Sequence, residues 1–147
     1  MNTKAARAII IENGKILVMY RNKYGSQYYT LVGGRINDGE TPEQGLVREV
    51  REETGLQVTA VRLVYIEEHK APSSEQYIYL CDVAPHAEVA IQSDSEEGHM
   101  NQYDLNTHHP EWVSTKSFDH LHFRTPQLHA AIIKAFKKGF PKDVIRL

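Results

Sequence analysis

The sequence predicts an α/β fold. Three observations carry that expectation. Asn13-Gly14 separates two runs rich in Ile, Val and Leu. A helix with signals at both ends lies between Thr41 and Gly55, and a second follows Thr125. Between the helices lie further β-branched and aromatic runs. The 147 residues fit a single domain, 1–147, on a prior of roughly 100–200 residues per domain. Hydrophobic residues make up 41% and charged residues 24%, which is ordinary globular usage and excludes whole-chain disorder, collagen and coiled coil. The formal charge of −2 shows no bulk excess that would point to nucleic acid or a membrane surface. No apolar run approaches the roughly 18 residues of a membrane span, and the run Ala8–Ile11 is too short for a signal-peptide core. The lone Cys81 excludes an intrachain disulfide framework and a cysteine-based zinc cluster. It fits a reducing compartment, so a cytoplasmic location is expected.

The elements follow in order. Ala6–Glu12 and Lys15–Tyr20 read as a hairpin, because both positions of Asn13-Gly14 tolerate positive φ. Arg21–Gln27 is polar, contains Gly25, and reads as a loop. Tyr28–Val32 is a third strand. The capped helix follows over Thr41–Thr54. Gln57–Glu67 and Gln76–Val83 are two further strands, with Lys70–Glu75 as the loop between them. Ala84–Met100 is acidic and weakly patterned, a long loop. Glu111–Ser114 is a strand. Thr125–Lys138 repeats apolar residues at Leu128, Ile132, Ile133 and Phe136, a helical period. Pro126 at its start and Gly139 past its end are the expected punctuation.

The first helix is the better marked. Thr41-Pro42-Glu43-Gln44 offers an N-cap, a proline at the first helical position and a capping-box glutamine. Gly55 supplies the stop. Leu46, Val47, Val50 and Thr54 share one face. Gly45 inside the helix costs about 1 kcal/mol relative to Ala and marks either close approach of another element or mere tolerance. Glu49, Glu52 and Glu53 stand at i, i+3 and i+4, within an arc of about 100° bordering the apolar face. Like charges at this spacing repel, and the C-terminal half of a helix disfavours anions. Arg48 reaches only part of that charge. Oxygen donors of this kind select hard cations, Mg²⁺, Mn²⁺ or Ca²⁺, over zinc or copper. On these residues alone, a solvated charged face is the competing reading.

The upstream sequence changes the balance. Gly34, Glu40, Arg48, Glu49, Val50, Glu52, Glu53, Gly55 and Leu56 meet every fixed position of a pattern with two gaps, of five and seven residues. A chance match is on the order of 10⁻⁹ per window at average residue usage. The span Gly34–Leu56 resembles the Nudix box. The resemblance implies an α/β/α sandwich with a central mixed sheet, the box forming a loop–helix–loop. It also implies divalent-metal-dependent hydrolysis of a nucleoside diphosphate linked to a further group, with Mg²⁺ or Mn²⁺ as cofactor. By position, Glu49 and Glu53 resemble the principal metal ligands. Glu52 resembles a third ligand or the residue that holds the attacking water. The Gly33 carbonyl resembles an additional ligand. Arg48 resembles the arginine that holds the glutamates, and Glu40 the glutamate that supports the loop. Val32 departs from the proline that many members carry there, which obscures the substrate class.

Outside the box, the resemblance implies a base from a later acidic loop. Glu97 is the first choice, with Glu96, Asp94, Glu111 or a base within the box as alternatives. Charge is unevenly spread: residues 1–35 hold six basic residues and one acid, and residues 84–111 hold six acids and no Lys or Arg. Arg21, Lys23 and Arg35 border the proposed site and are candidates for phosphate contacts. Tyr28, Tyr29, Tyr77, Tyr79, Tyr103 and Trp112 include candidates for stacking a base, though core packing is the commoner role. His108-His109 and His120-x-His122 lack the partners of a zinc site. The substrate implied is open among an oxidised or normal nucleoside triphosphate, ADP-ribose or a nucleotide sugar, a dinucleoside polyphosphate and a capped RNA end; a small nucleotide, a nucleoside triphosphate or an ADP-ribose-like compound, is expected rather than a nucleic acid. Pro72 resembles a feature of ADP-ribose-cleaving members. The family commonly dimerises, but no surface in this sequence declares a homodimer. A nucleotide-sensing module without catalysis and a prenyl diphosphate isomerase on the same fold are the alternatives. The intact box and the lone Cys81 argue against both.

Overall fold

The computed structural model describes residues 3–69, 73–87 and 106–147. The strands are β1 (Thr3–Ile9), β2 (Ile11–Glu12), β3 (Lys15–Lys23), β4 (Ser26–Arg35), β5 (Val58–Glu68), β6 (Ser73–Val83), β7 (Asn106–Ser114) and β8 (Ile145–Arg146). Helix α1 spans Pro42–Thr54 and helix α2 spans Pro126–Lys138. The sheet runs β2-β3-β4-β1-β6-β5-β8, with β7 on the other side of β3. It is mixed: β1 pairs with β6 and β5 with β8 in parallel, and the other ladders are antiparallel.

Side-chain alternation along the strands builds two cores. Ala6, Ala8, Leu17, Met19, Val32, Tyr79 and Cys81 pack with Leu46 and Val50 of α1. Ile9, Ile16, Val18, Leu31 and Ile78 pack with Leu128 and Ile132 of α2. One helix thus covers each face, as the sandwich expectation requires. Both helices end where the sequence predicts. Thr41 Oγ1 accepts from Gln44 N and Gln44 Oε1 accepts from Thr41 N, the reciprocal capping box. Gly55 closes the helix at φ 78°, a left-handed conformation that costs glycine nothing. Thr125 caps α2 and Gly139 ends it.

Three expectations about strand extent are corrected. Arg21–Gln27 is not a loop: β3 runs to Lys23 and β4 begins at Ser26. Tyr24 and Gly25 turn the chain at φ 52° and 90°, both positive, as a two-residue hairpin turn needs. The polar residues extend because Arg21–Lys23 pair on both sides, with Ser26–Tyr28 and with Asn106–His108. The same second ladder carries β7 back from the expected Glu111 to Asn106. At the other hairpin, Asn13 and Gly14 adopt the expected positive φ of 52° and 74°. The Lys70–Glu75 expectation is shortened, since β6 begins at Ser73.

The feature that matters most for the site lies in β4. Through Leu31 it pairs with β3, and from Val32 it pairs with β1. The strand changes partner immediately before Gly33-Gly34. Side chains of β1 and β3 can therefore meet the two glycines and the face of α1.

Candidate functional site

Helix α1 crosses the paired glycines so that its glutamates face them. Glu53 and Glu49 are buried, with 3% and 9% of their surfaces exposed. Glu53 Oε1 accepts the Gly33 amide at 2.9 Å. A Cβ on Gly34 would lie 2.8 Å from Glu49 Oε2. The second glycine therefore leaves the space that the Glu49 carboxylate fills. The first is constrained by backbone. Gly33 has φ 132°, and a Cβ there would meet the Ala6 carbonyl oxygen at 2.2 Å. Gly45 is also explained: a Cβ would come within 3.3 Å of Ile36 and Glu40, so the loop before α1 packs close to it.

Arg48 organises the outer side of this cluster. Its Nε and Nη2 fork onto Glu40 at 2.7 and 3.0 Å. Nη1 donates to Glu49 Oε1 at 3.0 Å and Glu52 Oε2 at 3.3 Å, and Nη2 also donates to the Arg35 carbonyl at 3.0 Å. A guanidinium has five N–H donors, and five contacts are made. Glu40 holds the Arg48 guanidinium above its ordinary pKa range. Arg48 in turn, with the Asn37 amide, holds the Glu40 carboxyl below the usual carboxylate range. Arg35, Ile36, Asn37, Asp38, Arg48, Glu49 and Glu52 line a cleft of about 440 Å³.

On the inner side, Arg7, Met19, Arg21, Thr30, Gly33, Gly34, Glu53 and His108 enclose a smaller cavity of about 90 Å³. Arg7 donates from Nη1 to the carbonyls of Leu31 and Gly33, at 3.1 and 3.2 Å. Burial pulls the Arg7 guanidinium below its ordinary value, Glu53 and Glu49 oppose the shift, and Arg21 adds to it. Burial, aided by Arg21, Arg7 and Lys23, pushes the His108 imidazole down to about 4. Arg21 Nε and Thr30 Oγ1 are buried with no hydrogen-bond partner among the described residues.

The sequence candidates are thus divided. Glu49, Glu52, Glu53, Arg48 and Gly33 come together. Arg21 lines the inner cavity and Arg35 the outer cleft, while Lys23 lies exposed at the end of β3 and lines neither. Glu97, Glu96, Asp94, Tyr103 and Pro72 lie outside the described residues. Glu111 accepts from the Tyr29 hydroxyl at 3.4 Å and contacts His109 Nε2 at 2.7 Å. It pairs across the ladder with Val18, which belongs to the α2 core. Arg7, Thr30 and His108 were not among the expected site residues. Arg7 had a signal: it is the one charged residue in the run Ala5–Ile11. His108 had none, because its position beside Arg21 depends on the β3–β7 register.

The donor set fits a hard divalent cation in kind. All the candidate donors are oxygens, two of the carboxylates are buried, and anionic charge exceeds what Arg48 balances. Among the described residues, no three such side chains converge on a single point. The physical reason is visible. Arg48 holds Glu49 and Glu52 outward, while the Gly33 amide holds Glu53 inward.

Residues 1–136 match the family model described as NUDIX domain. The chain belongs to the NUDIX family. Its fold resembles that of a NUDIX hydrolase from Nitrosomonas europaea, with a TM-score of 0.71 and 17% identity over 98% of this chain and 77% of that one. A MutT structure from work on Aliivibrio salmonicida and Vibrio cholerae gives 0.67 and 20%, over 95% of this chain and 100% of that one. These likenesses show the NUDIX fold. Among curated relatives, an RNA pyrophosphohydrolase of Mannheimia succiniciproducens is 47% identical over 57 residues, covering 39% of this chain and 29% of that protein. An NAD-capped RNA hydrolase of Vibrio vulnificus is 39% identical over 67 residues, covering 46% and 26%. The chain therefore spans under a third of the length of these relatives. Among the described residues, no helix is long and apolar enough to cross a membrane.

Proposed function

We propose that this NUDIX chain hydrolyses the pyrophosphate linkage of a small nucleotide, a nucleoside triphosphate or an ADP-ribose-like compound, with Mg²⁺ or Mn²⁺ as cofactor. One observation carries the reading: three glutamates of α1 and the Gly33 backbone lie between two arginine-lined cavities. Glu49, Glu52, Glu53 and the Gly33 carbonyl are the groups that would hold the cation. A divalent cation supplies charge neutralisation at the phosphates and lowers the pKa of bound water.

The chain's own groups account for the rest. Arg48 fixes Glu49 and Glu52 against their mutual repulsion. Glu52, with 36% of its side chain exposed, opens onto the outer cleft and can accept a proton from water there. Arg21 Nε–H and the Thr30 hydroxyl present unused donors to the inner cavity, suited to anionic phosphate oxygens. Arg35 offers a further positive charge along the outer cleft. Glu97 remains the proposed outside base.

A second reading is an RNA 5′ end as substrate, favoured by the similarity to an RNA pyrophosphohydrolase and an NAD-capped RNA hydrolase. Both readings share one chemistry, a pyrophosphate attached to a nucleoside. A panel with Mg²⁺ tests them: nucleoside triphosphates, ADP-ribose, dinucleoside polyphosphates, and triphosphorylated and NAD-capped RNA. Turnover of a small nucleotide with release of phosphate, pyrophosphate or a nucleoside monophosphate is expected. Glu53→Gln should lower kcat by at least about 100-fold, beyond the 10–100-fold typical of outer-shell changes. Metal binding without turnover of any substrate would overturn the hydrolase reading, and turnover of RNA alone would move the substrate to the second.

A further inference from the structure

Arg7 meets Gly33 with both its backbone and its guanidinium. Its backbone lies in register with Gly33, so close that a Cβ on Gly33 would stand 2.7 Å from Arg7 Cα. Its guanidinium then curls back onto the same glycine, donating to the Gly33 carbonyl at 3.2 Å and to Leu31 at 3.1 Å. The Gly33 amide is held from the other side by Glu53 at 2.9 Å. The orientation of this residue is thus set by two charged side chains from different elements, one on β1 and one on α1.

The guanidinium is itself braced. Arg7 Nε donates to Gln76 Oε1 at 3.0 Å, and Gln76 Nε2 lies 2.7 Å from His69 Nε2. An arginine Nε only donates, so Gln76 must turn its oxygen to Arg7 and its NH₂ to His69, whose Nε2 accepts. With its lone pair engaged by Gln76, His69 Nε2 makes no hydrogen bond to the buried Glu67, whose Oε1 lies 3.1 Å away; Glu67 Oε2 instead accepts from the hydroxyl of Thr125, the N-cap of α2.

We infer that Arg7, braced by Gln76, is a positioning residue that sets the direction of the Gly33 carbonyl. Its consequence for metal affinity rests on the hydrolase reading, whereas its consequence for Gly33 does not. Losing the brace frees the guanidinium to swing from the Gly33 carbonyl, leaving Glu53 on the Gly33 amide as the remaining charged side chain bonded to that glycine.

The test uses the full chain and two readouts. Amide hydrogen exchange at Gly33 is followed by NMR without metal, and Mn²⁺ affinity by water-proton relaxation. Gln76→Met removes the acceptor at nearly constant volume, Gln76→Glu restores one, and Arg7→Lys shortens the reach. Gln76→Met and Arg7→Lys should each speed Gly33 exchange about tenfold, leave Ile9 and Leu17 amides unchanged, and weaken Mn²⁺ binding by roughly 10–100-fold. Gln76→Glu should return both toward wild type, since His69 can change tautomer and donate. Unchanged Gly33 exchange in both disruptive variants overturns the inference, as does an equal rise across β1 and β4, which would mean general loosening. Faster Gly33 exchange in a protein whose wild type binds no Mn²⁺ would uphold the positioning role and remove the hydrolase reading.

Discussion

Arg48 donates two parallel hydrogen bonds to Glu40, at 2.7 and 3.0 Å, across the turn that leads into α1. The same guanidinium holds Glu49 and Glu52. An ammonium is a point charge and cannot fork onto three carboxylates at once. Arg48→Lys should therefore keep the fold, at a cost of about 1–2 kcal/mol for the lost charged bonds. It should lower kcat by about 10-fold or more, as outer-shell changes do. Denaturant unfolding and steady-state kinetics check the two together.

The paired glycines should respond differently to alanine. At Gly34 the new Cβ meets only the far end of a flexible side chain, the Glu49 carboxylate. Gly34→Ala should change stability by less than about 1 kcal/mol, within the range of well-tolerated substitutions, while displacing Glu49 and abolishing most activity. At Gly33 the clash is with backbone at positive φ. Gly33→Ala should cost several kcal/mol, about 3 or more, through strain in β1 and β4. Thermal midpoints beside activity assays separate these outcomes.

His108 gives a signed pH prediction. Its folded pKa is about 4, depressed from 6.5 by burial first and then by Arg21, Arg7 and Lys23. Between those values the unfolded chain binds the proton and the folded chain does not. Stability therefore falls as pH drops from 6.5 toward 4, by up to about 1.4 kcal/mol per pH unit from this residue. His108→Gln should flatten that part of the curve. Urea unfolding across pH 4 to 7 provides the comparison, and parallel curves would assign the slope elsewhere.

Cys81 should be chemically silent. Burial, with Asp82 adding, pushes its thiol up to about 12, so little thiolate exists at pH 8. Alkylation by iodoacetamide should proceed at the rate of unfolding and rise steeply in denaturant. Mass spectrometry of native and urea-treated protein distinguishes this from an accessible thiol.

Local pattern was enough for much of this molecule. The spacing from Gly34 to Leu56, the reciprocal Thr41–Gln44 cap, and Thr125 with Gly139 around α2 are all relations within a few turns of chain. Their geometry follows from helix pitch and backbone conformation, whichever strands lie nearby. Pairing across the sheet obeys no such local rule. Arg21–Lys23 became strand because β4 and β7 supply partners on both sides. Arg7 and His108 reached the site because β4 leaves β3 for β1 at Val32 and because β7 returns beside β3. The sequence by itself determined which helix carries the acids and where the glycines precede it. Only the tertiary structure decided which cations face those acids, because that depends on strand order and register, set by burial across distant segments.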